Sequence, residues 1–290
     1  MKIGYLGIPG SYSEMTARDY VERSYELREC DNELIGYSNF DRIIQDLVDK
    51  DLEYGVLPAE NSTTGLISRA VDLLHNEPLT IIDDAYQPVS HTLWGLPGAK
   101  IEDLKQVYSH PEALSQCDEF FGAHSDIEER EYSSTAQAVQ FIKELGDKTN
   151  GALASRRAGE LIGLEPLLED VQTENNNATR FYIIRRQEFA PKKGRRLVLH
   201  VQTKHETGAL SKVLQVFAIL NCNLELLTAR PIPGRAFAYG FIIEVDIDQM
   251  SENVELLLAM IRQVTIDYQV FGQFEPNYYA LSQKDDDIHD

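Results

Sequence analysis

At 290 residues and 43% hydrophobic content, the chain is large enough for two or three compact units with real cores, which excludes general disorder. Asp and Glu number 47 against 27 Lys and Arg, a formal net charge of −20, and the one basic run, Lys192-Lys193-Gly194-Arg195-Arg196, is too short for a nucleic-acid face. Three scattered cysteines, Cys30, Cys117 and Cys222, exclude a disulfide framework and a Cys-x-x-Cys zinc site; no apolar run suits a signal peptide or a bilayer span, so the expectation is a reduced, soluble, cytoplasmic protein with no metal or membrane partner.

A short strand is expected at 3–6, followed by Gly7-Ile8-Pro9-Gly10-Ser11-Tyr12-Ser13-Glu14. Its glycines permit a tight turn, and Ser11 or Ser13 can cap the next helix. Without GxGxxG or a P-loop lysine, a nucleotide site is disfavoured. The same grammar recurs. A strand at 54–57 leads through Pro58-Ala59-Glu60-Asn61-Ser62-Thr63-Thr64-Gly65 into a helix at 66–74. Val107-Tyr108 leads into Ser109-His110-Pro111-Glu112 and a helix at 113–121. Ser133-Ser134-Thr135 opens a helix at 136–145, and Ala152-Leu153-Ala154 precedes Ser155-Arg156-Arg157 and another helix. Strand, hydroxyl-rich loop and helix in repetition predict an α/β fold with a largely parallel sheet. Ligands of such sheets sit beyond the carboxyl ends of the strands, where free N–H groups and helix N-termini suit an anion.

Asn175-Asn176-Asn177-Ala178-Thr179-Arg180-Phe181-Tyr182-Ile183-Ile184 passes from a turn-prone polar run into a buried strand. Thr179 and Arg180 therefore stand where a loop enters a sheet, a common place for functional groups. Side chains alternate along a strand, so Arg180 should face away from Thr179. After a linker at 188–195 the pattern changes: strand 196–203, helix 208–220, strand 224–231, a turn at Pro233-Gly234, strand 237–246, helix 252–264 and strand 268–274. That is the ferredoxin-like βαββαβ order. An acidic tail at 278–290 closes the chain.

Together, Thr179-Arg180-Phe181, Glu60-Asn61-Ser62, Ser109-His110-Pro111 with Gln116-Cys117, and Ser134-Thr135-Ala136 resemble the prephenate dehydratases, and the C-terminal unit resembles an ACT effector-binding domain. The resemblance implies two periplasmic-binding-protein-like α/β lobes at 1–187, a linker at 188–195, an ACT domain at 196–277 and a tail at 278–290. It implies a lyase that makes phenylpyruvate from prephenate without a cofactor, with Thr179 catalytic. Substrate contacts are expected from Ser11, Asn61, Ser62, Thr63, Ser134, Thr135, Arg180 and Phe181. Arg180 holds a substrate carboxylate or braces its lobe, while His110 and Glu60 are expected to be structural.

Departures from the family pattern are Gly7-Ile8-Pro9-Gly10 for Gly-Pro-x-Gly, and Thr173 for an Asp. Effector contacts are expected from Gly208, Ala209, Leu210 and Ser211, from Asn223, and from Arg230 and Pro231. The usual Glu-Ser-Arg-Pro reads Thr228-Ala229-Arg230-Pro231, so L-phenylalanine or another apolar amino acid should bind more weakly than the usual motif allows. ACT pairing implies a homodimer or homotetramer. Rival expectations are a non-catalytic ligand sensor and an arogenate dehydratase.

Overall fold

The computed structural model describes every residue except 76, 175, 192, 233–238 and 278–290, so the turn at Pro233-Gly234 and the acidic tail lie outside the described residues. The first lobe contains β1 (Lys2–Leu6), β2 (Glu33–Tyr37), β3 (Tyr54–Asn61), β4 (Gly65–Leu66) and β5 (Leu79–Pro88), with α1 (Tyr12–Arg23), α2 (Phe40–Val48) and the short α3 (Ser68–Asp72). The second lobe contains β6 (Thr92–Gly95), β7 (Gln106–Ser109), β8 (Glu128–Glu131), β9 (Asn150–Ala154) and β10 (Glu165–Leu168). Its helices are α4 (Pro111–Ser115), α5 (Asp118–Ala123), α6 (Thr135–Leu145) and α7 (Arg156–Ile162). The chain returns to the first lobe through β11 (Ala178–Arg186) and ends with β12 (Arg196–Gln202), α8 (Ala209–Ile219), β13 (Asn223–Pro231), β14 (Tyr239–Asp246), α9 (Val254–Val264) and β15 (Asp267–Phe274).

Capping explains where several helices begin. Ser11, Ser134, Ser155 and Asn253 each accept a hydrogen bond from a backbone N–H in the first turn of α1, α6, α7 and α9. Asn253 thus starts α9 at Val254, two residues later than the apolar spacing suggests. The helix expected at 66–74 is shorter, Ser68–Asp72, because Gly65–Leu66 pairs with β3 instead. The helix expected at 113–121 is broken at Gln116-Cys117 into α4 and α5.

The expectation of a largely parallel sheet is corrected. β1 runs parallel to β2 and β3, but β11 lies between β3 and β5, antiparallel to both. The direction follows from the route, since β11 re-enters the lobe from the second lobe and so runs against the strands that left it. The second sheet, β10-β6-β9-β7-β8, is also mixed. Two crossovers join the lobes. They are tied by Val89 N–H donating to the Asn177 carbonyl (2.9 Å) and Val171 N–H donating to the His91 carbonyl (2.9 Å).

The C-terminal strands stand in the order β13-β14-β12-β15, the split arrangement of a βαββαβ unit. α8 and α9 cover one face, packing Val213, Phe217, Leu257 and Ile261 on Leu197, Leu199, Ile243 and Val245. The other face does not stand free. Val198, Ile242 and Phe271 share a core with Val71, Leu74 and Tyr182 of the first lobe. β15 even continues the lobe's sheet, with Gly272 opposite Ile81. A Cβ on Gly272 would sit 2.4 Å from the Ile81 carbonyl oxygen, so this close approach requires glycine.

His200 on β12 lies in that seam, its ring centroid 4.6 Å from that of His75. Burial first, and then His75, push its pKa from the usual 6.5 down to about 4. A depressed imidazole pKa has no cost while the ring is neutral, above about 6.5, and weakens folding as pH falls toward about 4. Asp83, pushed up to about 6 by burial, titrates in the opposite sense, so the effect is read as a difference. Urea denaturation should show stability shifting toward His200→Gln, relative to the parent, as pH falls from about 7 to about 5. A gap that does not change with pH would refute it.

Candidate active site

Thr179 enters the sheet opposite Asn61 of β3 and Gln87 of β5, at the edge of the inter-lobe crossovers. Asn61 Nδ2 donates to Thr179 Oγ1 (3.1 Å) and to Asn177 Oδ1 (2.7 Å). Asn61 Oδ1 accepts from the backbone N–H groups of Thr63 (3.0 Å) and Thr64 (3.1 Å), which fixes the orientation of the amide. Asn177 Nδ2 in turn donates to Gln116 Oε1 (2.9 Å), a second-lobe oxygen that lies 2.9 Å from His91 Nε2. A polar chain therefore runs from the Thr179 hydroxyl across the crossovers to His91. Because Asn61 donates to Thr179, the hydroxyl's own proton is left to point elsewhere.

These side chains line one cavity of about 200 Å³ between the lobes. On the second-lobe wall stand Ser134 and Thr135, at the N-terminus of α6. The Ser134 hydroxyl accepts from Gln137 N–H (3.2 Å), and the free N–H groups of that first turn favour negative charge. His110 caps α4, its Nδ1 accepting from Glu112 N–H (3.3 Å), and also lines the cavity. Glu112 Oε1 accepts from the Thr64 hydroxyl (3.2 Å) across the cleft. Among the described lining residues there is no Lys or Arg; Glu112 is the carboxylate in the wall.

His91 is buried, and burial pushes its pKa below the usual range, so it is neutral near pH 7. Gln116 Oε1 can only accept, so Nε2 carries the proton and Nδ1 presents a lone pair. Nδ1 has no hydrogen-bond partner among the described residues.

Of the residues expected to touch substrate, Asn61, Ser134, Thr135 and Thr179 converge on the cavity. Ser11, Ser62 and Thr63 do not line it. Ser11 caps α1, the Ser62 hydroxyl accepts from Ala178 N–H (3.0 Å), and the exposed Thr63 is bound through its backbone to Asn61. Two expectations are corrected outright. Phe181 is 1% exposed in the core of the first lobe, packed with Ile3, Val56 and Ile183. Arg180 turns to the face opposite Thr179 and meets carboxylates there. Its Nε donates to Asp84 (3.0 Å), its two Nη groups hold both oxygens of Glu244, and Glu60 lies 3.7 Å away. The guanidinium fork is thus occupied by protein and offers nothing to a substrate carboxylate. Glu60 braces Arg180 rather than a loop's N–H groups.

His91, Glu112 and Tyr12 line the cavity without having been singled out for it. The available signal for His91 was a polar ring shortly before the apolar pair Leu93-Trp94. Nothing in sequence marks which face of a loop that ring takes.

The residues expected to hold an effector fall at two ends of the C-terminal sheet. Arg230 pairs with Gly240, which pairs with Gln202 just ahead of Gly208-Ala209-Leu210-Ser211. Asn223 pairs with Asp246 at the opposite end, and its amide donates to Glu225 (2.9 Å). Ala209 is buried, Leu210 is half-buried and Pro231 is exposed. Arg230 is engaged within the chain, its Nε and Nη2 taking the two Asp72 oxygens of α3 at 3.0 and 2.5 Å. An effector contact from this guanidinium would therefore have to share it with Asp72.

Two α/β lobes closing on a cleft of neutral donors, joined to a βαββαβ unit, define a small-molecule protein whose site holds polar groups in fixed directions. The chain belongs to the prephenate dehydratase family, whose sequence profile matches residues 3–189. It is 37% identical to arogenate dehydratase/prephenate dehydratase 1 of Arabidopsis thaliana over 238 residues, covering 80% of this chain and 57% of that protein. It is 30% identical to a bifunctional chorismate mutase/prephenate dehydratase of Enterobacter agglomerans over 276 residues, covering 93% of this chain and 70% of that protein. Both relatives are therefore longer than this chain. Among solved structures, GqqA, described as a quorum-quenching acylase, has a TM-score of 0.84 at 26% identity, over 96% of this chain and 99% of that one. Prephenate dehydratase from Arthrobacter aurescens, in complex with L-Phe, has a TM-score of 0.83 at 22% identity, over 95% and 90%, and so shares the fold.

Proposed function

We propose that the chain is a prephenate dehydratase, a cofactor-independent lyase that converts prephenate to phenylpyruvate in phenylalanine biosynthesis. The carrying observation is the Asn61 Nδ2 to Thr179 Oγ1 hydrogen bond, which leaves the Thr179 proton free to donate. Prephenate loses carbon dioxide and hydroxide together. The electron pair of the breaking C–C bond enters the ring, the C–O pair leaves with the hydroxide, and the ring becomes aromatic. Such a reaction needs no strong base. It needs a donor at the departing oxygen and fixed dipoles for the carboxylates, and Thr179, the α6 N-terminus and the amides of the cleft supply groups of these kinds. The Thr179 hydroxyl donates and relays a proton without being ionised itself.

An acylase would require a base at the nucleophile. The hydroxyl's described partner is an amide N–H, which cannot take a proton. Arogenate is the second reading, favoured by Glu112 and by a lining free of Lys and Arg among the described residues, which suits a substrate that carries an ammonium group. Ultraviolet detection of phenylpyruvate from prephenate, with phenylalanine release from arogenate run in parallel, decides between them. No turnover of either by folded protein would leave a ligand sensor as the function.

In the same reading the protein is cytoplasmic, residues 1–187 are catalytic, and 196–277 form an ACT domain that binds L-phenylalanine or another apolar amino acid. Leu224 and Leu227 are 36 and 37% exposed on the outermost strand β13, an apolar edge that supports pairing with a second copy. Light scattering should give a dimer or tetramer, and a monomer at micromolar concentration would refute this. Calorimetric titration should show an aromatic amino acid binding only weakly, because Thr228 and Ala229 replace a carboxylate and a hydroxyl and Arg230 is held by Asp72. Sub-micromolar phenylalanine binding would overturn that account.

A further inference from the structure

The residue that follows Thr179 is gripped from outside the two lobes. Arg180 is 7% exposed, and the acid that takes both of its Nη groups is Glu244, fully buried on β14 of the C-terminal unit. Glu244 does not float in that position. Arg196 of β12 donates to its Oε1 (3.2 Å), the Tyr182 hydroxyl donates to its Oε2 (3.2 Å), and its backbone lies in register with Val198 and Leu226. On the lobe side, Asp84 of β5 holds Arg180 Nε at 3.0 Å, and Asn277 N–H donates to the other Asp84 oxygen (2.7 Å). A bidentate charge-assisted pair between buried groups fixes both distance and plane. Thr179 and Arg180 share one peptide unit. Moving the guanidinium changes the torsions that aim the Thr179 hydroxyl, and between Arg180 and Phe181 the pairing of β11 with β3 shifts register. That irregularity is where a strand bends most readily.

We infer that Glu244 is a positioning residue for Thr179: through Arg180, the C-terminal unit sets the direction of the cavity's hydroxyl. The inference rests on the assignment of Thr179 as the catalytic donor. It also gives the C-terminal unit a task at the site that requires no contact with substrate. A displacement of β14 relative to the lobes moves the Arg180 fork, and with it the Thr179 donor, so the state of the C-terminal unit is read directly at the reacting position.

The test compares Glu244→Gln, which keeps the shape and loses the charge, with Val198→Ala. Val198 is fully buried in the same seam, and its side chain carries no group that could pair with the Arg180 guanidinium. Glu244→Gln should lower kcat by about ten- to a hundredfold while KM stays within about twofold, because a donor is misaimed and binding groups are untouched. In protein labelled with methyl-¹³C threonine, the Thr179 methyl resonance, assigned with Thr179→Ser, should move in Glu244→Gln. Val198→Ala, compared at matched loss of Tm, should keep both kcat and that resonance. If Glu244→Gln does not fold, Arg180→Lys is measured in its place, since it keeps the charge and loses the fork. An unmoved methyl resonance with parental kcat overturns the inference, as do equal changes in Val198→Ala. If the parent turns over neither prephenate nor arogenate, the dehydratase reading fails, and the methyl resonance still decides whether Glu244 positions Thr179.

Discussion

Thr179→Ala is expected to lower kcat by about a hundred- to a thousandfold, with substrate binding close to the parent's. The direction follows from the hydrogen-bond inventory of the site. Thr179 Oγ1 accepts from Asn61, and Asn61 is oriented by two backbone donors at its other end. The hydroxyl therefore keeps its proton free to donate, and alanine removes that donor while leaving the cavity walls in place. Preorganised donors of this kind act mainly on the transition state, so the loss appears in kcat rather than in KM. Thr179→Ser keeps the donor and should keep much of the rate. Asn61→Asp separates this account from a purely steric one. Its carboxylate still caps the N–H groups of Thr63 and Thr64, but it accepts the Thr179 proton and so should damage turnover nearly as much as Thr179→Ala. A Thr179→Ala enzyme within a few-fold of the parent, with normal binding, would end the assignment.

Much of this arrangement was legible in the sequence, and the failures have physical causes. Hydroxyl-rich loops between short strands and helices pointed to a cleft, and three of the eight expected substrate residues, Asn61, Ser134 and Thr135, line the cavity together with Thr179. The passage from the Asn run into a β-branched strand placed Thr179 at the mouth of a sheet. What sequence spacing lacks is direction. A strand reads the same whichever way it runs, so the antiparallel insertion of β11 between β3 and β5 was not visible. Alternation along β11 did indicate that Arg180 faces away from Thr179, but not what it would meet. Its partners Asp84 and Glu244 lie 96 and 64 residues away in the chain. His91 and Glu112 enter the cavity for a similar reason, since the His91 loop and the first turn of α4 are brought together by a chain path that carries no local pattern. The C-terminal unit was read correctly as βαββαβ, whereas its shared core with the first lobe was not, because Val198, Ile242 and Phe271 look in sequence like one face of an ordinary sheet.

Arg180→Ala should cost about 3–5 kcal/mol of folding stability, the largest single loss expected outside the apolar core. Removing the guanidinium leaves Asp84 and Glu244, both 0% exposed, facing each other's charge without the cation that lies between them. Arg196 remains 3.2 Å from Glu244 and compensates only one of the two carboxylates. Exposed pairs set the contrast. Arg69 and Asp41 are 56 and 58% exposed, so solvent screens the pair and Arg69→Ala should leave stability close to the parent's. Protonation supplies an independent check on the mechanism. Burial already raises the Asp84 pKa against the downward pull of Arg180, and without Arg180 it rises further. A carboxyl whose pKa is raised in the folded state loses stability as pH rises through that pKa, so the gap between parent and variant should widen with increasing pH and narrow on acidification. Urea denaturation across that range measures both quantities. A deficit below about 1 kcal/mol, or one that shrinks as pH rises, would mean that the carboxylates are relieved by water and that Arg180 is not what holds them in the seam.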